Sequence, residues 1–145
     1  MIQSPLQLNR YFVTGIELHA RPPEELSDQE DATPFIETEI QVSKYSSESR
    51  DYQIQLEVRL TGQGPYFGRL SIVGFFEIAE DIDKDRCDAL ARVNGAAVLF
   101  GAAREVIANS TSRGPWGEVV MPLATFIDEK DEPVEVLNQD APSIG

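Results

Sequence analysis

Apolar and polar residues alternate strictly from Tyr52 to Leu60, where Tyr52, Ile54, Leu56, Val58 and Leu60 are separated by Gln53, Gln55, Glu57 and Arg59. A period of two puts all five apolar side chains on one face of an extended chain, which predicts a strand buried on one side. Ile36, Thr38, Ile40 and Val42 repeat the pattern upstream, and the serine-rich residues 45–51 read as the loop that joins the two. Residues 6–18 predict another strand, whose apolar phase changes near Gly15 as it would at a bulge kinking an edge strand. After the turn Gly62-Gln63-Gly64-Pro65, residues 66–78 predict a fourth.

From Asp81 the period lengthens. Leu99, Ala103, Val106 and Ile107 fall on one helical face with Ala96 and Phe100 beside them. Ser112-Arg113-Gly114-Pro115 should stop the helix, because Gly and Pro both oppose its continuation. The chain beyond Trp116 reads as extended. Residues 20–34, rich in Pro and acid, read as a solvated loop, and the acidic run 128–133 does not extend a helix. The order is four strands followed by one amphipathic helix.

The 145 residues suit one domain. A formal charge of −13 disfavours nucleic acid as a partner, since phosphate backbones demand clustered Lys and Arg. The same charge favours solubility and opposes self-association of a protein that displays apolar surface. No secretory leader and no run of roughly 18 apolar residues is present, so the expectation is a soluble cytoplasmic protein without membrane insertion. The single cysteine, Cys87, forms neither an internal disulfide nor a Cys-based metal cluster, and is read as a structural thiol.

Candidate chemistry is sparse. Asp81-Ile82-Asp83-Lys84-Asp85 imitates the start of a calcium loop, but Arg86 stands where the sharp turn needs Gly and Arg92 where a bidentate Glu is needed. These carboxylates suit a helix N-terminus instead. Gly62, Gly64 and Gly68 precede a strand rather than a helix, so they make a turn and no phosphate cradle. His19 is the only histidine. It is read as an exposed loop residue, which leaves no imidazole cluster and no catalytic triad. Arg104, within an apolar helix, is read as a member of a structural or interface ion pair. No convergent set of titratable groups supports acid or base catalysis, so the expectation is no enzyme, no cofactor and no metal.

The aromatic residues carry more. Phe75 and Phe76 are consecutive on a predicted strand and must point to opposite faces, so at least one needs a partner other than the core. Trp116, between Gly114-Pro115 and Gly117, has few neighbours in sequence to bury it. Tyr66, Phe67, Phe75, Phe76, Trp116, Met121 and Phe126 are therefore the candidates for an apolar binding surface.

The segment LFGAAREVIANSTSRG, closed by Ser112-Arg113-Gly114-Pro115 and followed by GEVVMPLATF, resembles the protein-export chaperone SecB family. The matching positions are Leu99-Phe100, Ala103-Arg104-Glu105, Ile107, Ser112-Arg113-Gly114, Pro122 and Phe126, with Leu6-Gln7-Leu8-Asn9-Arg10 in the first strand. The resemblance runs from about Leu6 to Phe126 and implies an α+β subunit: a four-stranded antiparallel sheet with a long helix packed on one face. The chaperone domain is accordingly expected over residues 1–127, and the acidic composition of the end reads residues 128–145 as a mobile tail. It implies assembly as a dimer of dimers, with apolar grooves that hold unfolded preproteins and a sheet face that docks on the SecA motor. Leu99, Phe100, Ala103, Arg104 and Ile107 are the corresponding candidates for an oligomer interface.

This sequence departs from the family pattern where SecA docks: Gly15, His19 and Arg69 occupy positions that are acidic in the family. The departure fits SecB-like chaperones that stabilise an aggregation-prone antitoxin. The expected function is an ATP-independent holdase for unfolded or nascent polypeptides, serving either export or a particular client such as an antitoxin. The alternative is an interaction module that binds one folded partner.

Overall fold

The alternating segment is strand β3 (Asp51–Thr61), central in a sheet with strand order β1-β4-β3-β2-β5. The computed structural model describes residues 4–26, 35–122 and 134–137. Strands β1 (Leu6–Ala20), β2 (Phe35–Lys44), β3 and β4 (Tyr66–Ile78) pair antiparallel. The fold is α+β, as expected, with one addition. A two-residue strand, β5 (Glu135–Val136), pairs parallel with Ser43 and Lys44, which makes the sheet five-stranded and mixed. Two residues among acids carry no readable periodicity, and this is why sequence patterning misses the strand. The acidic run 128–133 and the end of the chain lie outside the described residues, as does most of the Pro-rich loop.

β1 is an edge strand with two register shifts, between Leu8 and Arg10 and between Val13 and Gly15. The second is the predicted bulge. Each shift changes which residues face which side, which accounts for the broken alternation along this strand. The predicted turn is also present: Gly62 has φ +83, a value that favours glycine. Arg21 clasps the turn, donating from Nη2 to Gly62 O (2.6 Å) and from Nε to Gly64 O (2.8 Å).

The helical layer is α1 (Lys84–Leu90), one π turn (Ala91–Gly95) and α2 (Ala96–Thr111). It covers one face of β3 and β4. Gly95 packs against Ile54, Leu99 fills the space left by Gly74, and Thr111 O accepts a hydrogen bond from Tyr66 Oη. α2 thus runs antiparallel to β4. Ile54, Leu56, Leu70, Ile72, Leu99, Ala103 and Ile107 show no measurable exposure and form the core between the layers. Burying each of the larger ones contributes about 1.5–3 kcal/mol.

The helix ends at Thr111, where Ser112-Arg113-Gly114-Pro115 was predicted to stop it. Tyr66 Oη accepts the Trp116 N–H (3.1 Å) and lies 2.9 Å from Gly117 O. Thr111 Oγ1 donates to Ile107 O (2.7 Å) and accepts from Val119 N–H (2.8 Å). The chain after the helix is thereby pinned back onto it. A second anchor joins the start of the helical layer to the sheet: buried Tyr52 donates to Asp88 Oδ1 (2.5 Å), and Lys44 Nζ donates to the same oxygen (3.0 Å). Burial, then the hydrogen bond and negative charge of Asp88, push the Tyr52 hydroxyl far above the ordinary tyrosine value.

Candidate polypeptide-binding surface

The helical layer meets β1 through the π turn, and Leu6, Leu8 and Leu18 pack against the core, but the middle of the strand stays exposed. On the helix side, β1 offers Tyr11, Val13 and Ile16, opposite Gly74, Ile72 and Leu70. They are 43%, 41% and 45% exposed, because α2 lies over β3 and β4 and stops short of the margin. On the open side Phe12, 49% exposed, meets Phe75 edge to face at 6.2 Å. The Arg10 guanidinium lies over both rings, 5.3 and 5.2 Å from their centres. β1 has no strand partner on its outer side among the described residues. Among the described residues it is a strand of 15 residues with an open edge and apolar side chains on both faces, and an open edge offers unpaired main-chain groups to another extended chain.

The open face divides in two. Apart from Phe35 at the start of β2, 64% exposed, its β2–β3 half is polar: Glu37, Glu39, Gln41, Gln55 and Glu57, with Arg59 paired to Glu39 (2.9 Å) and Glu57 (3.4 Å). Its β1–β4 half carries Phe12, Phe67, Val73 and Phe75. Phe67 stacks on His19 at 5.1 Å, and the Arg21 guanidinium covers its ring at 4.8 Å. Arg21 O accepts the indole N–H of Trp116 (2.8 Å), which brings the post-helix segment to the same corner.

The predicted surface residues separate cleanly. Phe67 and Trp116, each 37% exposed, and half-buried Phe75 lie at or near this apolar surface. Tyr66, Phe76 and Met121 are corrections: at 4%, 1% and 0% exposure they belong to the core and offer nothing to a partner. Tyr66 is buried because its hydroxyl organises the helix end, and Phe76 because its strand face is that of Leu70, Ile72 and Ile78. Phe126 lies outside the described residues. Among the interface candidates, Leu99, Phe100, Ala103 and Ile107 are also corrections, since their stripe packs on the chain's own sheet. Arg104 forms no ion pair among the described residues; its Nε donates to Met121 O (2.8 Å) and holds the returning segment against α2. His19 sits on β1 rather than in a loop. Patterning missed Tyr11, Phe12, Val13 and Ile16, although four nearly unbroken apolar residues on a strand with a phase change were the available signal.

No group of three or more His, Cys, Asp and Glu side chains converges among the described residues. No helix there is long and apolar enough to cross a membrane.

A sheet backed on one face by a long helical layer, with an apolar edge strand and a pinned post-helix segment, defines a SecB-like fold. No protein-family model and no curated protein matches the chain by sequence. Among solved structures, the chain is similar to a SecB-like chaperone of Mycobacterium tuberculosis in complex with a ChAD peptide from the HigA1 antitoxin. The TM-score is 0.60 at 14% identity, over 83% of this chain and 88% of that one. A protein of unknown function from Streptococcus agalactiae aligns with a TM-score of 0.46 at 14% identity, over 81% of this chain and 96% of that one.

Proposed function

We propose that the protein is an ATP-independent holdase that works as a homo-oligomer in the cytoplasm and keeps unfolded polypeptides from aggregating. The observation that carries this reading is the apolar margin of the sheet, where a free edge and exposed aromatic residues are displayed by a chain with a charge of −13. Such display is costly in solubility unless it is used.

β1 suits a second copy of the same strand. Its only formal charges are Arg10 and Glu17, which sum to zero, so two strongly acidic subunits can meet there without bringing like charges together. Antiparallel pairing of β1 with its own copy is two-fold symmetric and self-complementary. It would join two open faces into one sheet, and further association of such pairs would give a dimer of dimers. The apolar half of that face, reaching Trp116, is then a continuous surface for an extended client. Contacts that are individually weak gain avidity when one chain spans several of them. The fold shared with the mycobacterial chaperone supports this use, and the peptide held by that protein favours an antitoxin-like client over general export. Arg69 and His19 on the open face also argue against SecA as the partner.

The test is light scattering of several unrelated proteins as they unfold without nucleotide. Near-stoichiometric protein should suppress the signal, and Phe67→Ala with Trp116→Ala should weaken suppression while the fold survives. Phe76→Ala is the contrasting change: it should lower stability by about 3–5 kcal/mol. If wild-type protein leaves every client's scattering unchanged, the holdase reading fails and a module for one folded partner is the better account.

A further inference from the structure

Among the described residues the opposite margin of the sheet is closed only in part. β5 pairs with Ser43 and Lys44, and no other described residue pairs along the outer side of β2. The Leu137 N–H donates to Lys44 O at 2.8 Å, so the main-chain groups of Lys44 point out of this margin. Alternation along the strand sends those of Val42, Ile40, Thr38 and Ile36 out of the same side.

The seat has a definite chemistry. Val134 packs against the core from the helix side. Glu135, opposite Ser43 on the open face, accepts from Gln41 Nε2 at 3.3 Å. Leu137 borders an open hollow of about 550 Å³ that Tyr45, Gln53 and Phe75 also line, and it remains 54% exposed. An apolar residue toward the helices and a polar one toward the open face is a pattern that many extended segments can supply.

We propose that the β2 margin accepts an extended polypeptide segment as a parallel strand, and that residues 134–137 are its resident, exchangeable occupant. The guest is an unfolded chain with apolar residues at alternate positions and a polar or acidic residue between them. That this guest is a chaperone client rests on the function proposed above; the seat itself does not. With two paired residues among those described, the resident strand holds its place through tethering rather than through a strong interface. A tethered segment acts at an effective concentration on the order of 1 mM. Against a seat with a dissociation constant near ~0.1 mM, that weakens an outside peptide by about tenfold.

The experiment uses the full-length chain and its Leu137→Pro variant, which removes the one N–H that bonds Lys44 O at an exposed position. The probe is a fluorescent peptide copying residues 130–139, followed by anisotropy, with hydrogen exchange read at each β2 amide. The variant should bind about tenfold more tightly than wild type, and the peptide should slow exchange at Thr38, Ile40 and Val42. A peptide carrying proline in place of Leu137 should lose binding. Equal affinities for the two proteins, or slowed exchange confined to β1, would overturn the proposal whatever the aggregation assay shows. Tighter binding at β2 by a protein that protects no client would uphold the seat and overturn the holdase reading.

Discussion

Val13→Thr with Ile16→Thr should separate the copies of this protein without unfolding it. Both residues face the helix side of β1 and keep 41% and 45% of their surface exposed in the single chain. Threonine retains β-branching, so the strand preference survives. Full burial of Val or Ile is worth about 1.5–3 kcal/mol, and two-fifths of that, about 0.6–1.3 kcal/mol, is what each has left to gain at an interface. Two residues in each of two copies give about 2.5–5 kcal/mol per dimer, or roughly two to three and a half powers of ten in dissociation constant. Multi-angle light scattering from 1 to 100 µM on the order-of-magnitude scale of such constants reads the change directly. Wild type should exceed the 16.1 kDa of one chain, and the variant should fall toward it with an unchanged circular dichroism spectrum. A wild-type monomer, or a variant of undiminished mass, would refute the assignment of β1 as the joining strand.

Two further outcomes concern the core. Gly74→Ala should destabilise by about 1–3 kcal/mol in urea melts, because the added methyl meets Leu99 Cδ2 at 2.7 Å and Phe76 Cε2 at 2.9 Å; an unchanged midpoint would contradict the close fit of α2 on β4. Tyr52 ionises less readily in the folded chain than in the unfolded one, whose value is near 10.0. Its contribution is complete below that pH and is lost as the pH climbs toward the higher folded value, so stability should fall above about pH 10, and Tyr52→Phe should flatten that fall. Equal slopes for the two proteins would show that Tyr52 does not carry it.

The strands were legible wherever one face alone is buried, because period-two patterning then reports burial directly. β3 shows this from Tyr52 to Leu60, and the helix stop was readable from Gly114-Pro115. Phase was the harder matter. Phe75 and Phe76 could be placed on opposite faces, yet deciding which is inside required joining Phe76 to Leu70, Ile72 and Ile78 in one even-numbered series. The apolar stripe of α2 was legible as a stripe, but a sequence does not say whether its partner is the chain's own sheet or a second subunit. Here Leu99, Phe100, Ala103 and Ile107 take the sheet. β1 was obscured by its two register shifts, which turn an alternating strand into a nearly continuous apolar run from Tyr11 to Ile16. Met121 is buried in a segment with no regular period, where patterning has nothing to report, and β5 is too short to have one.

On the proposed function, this fold holds polypeptide because the polypeptide is unfolded. The most direct measurement is titration calorimetry without nucleotide, using one protein in two states: reduced and carboxymethylated, and native. Binding of the unfolded state with micromolar affinity, and none of the native state, is the predicted result. Equal binding of the two states, or binding of neither by a properly folded oligomer, would contradict it.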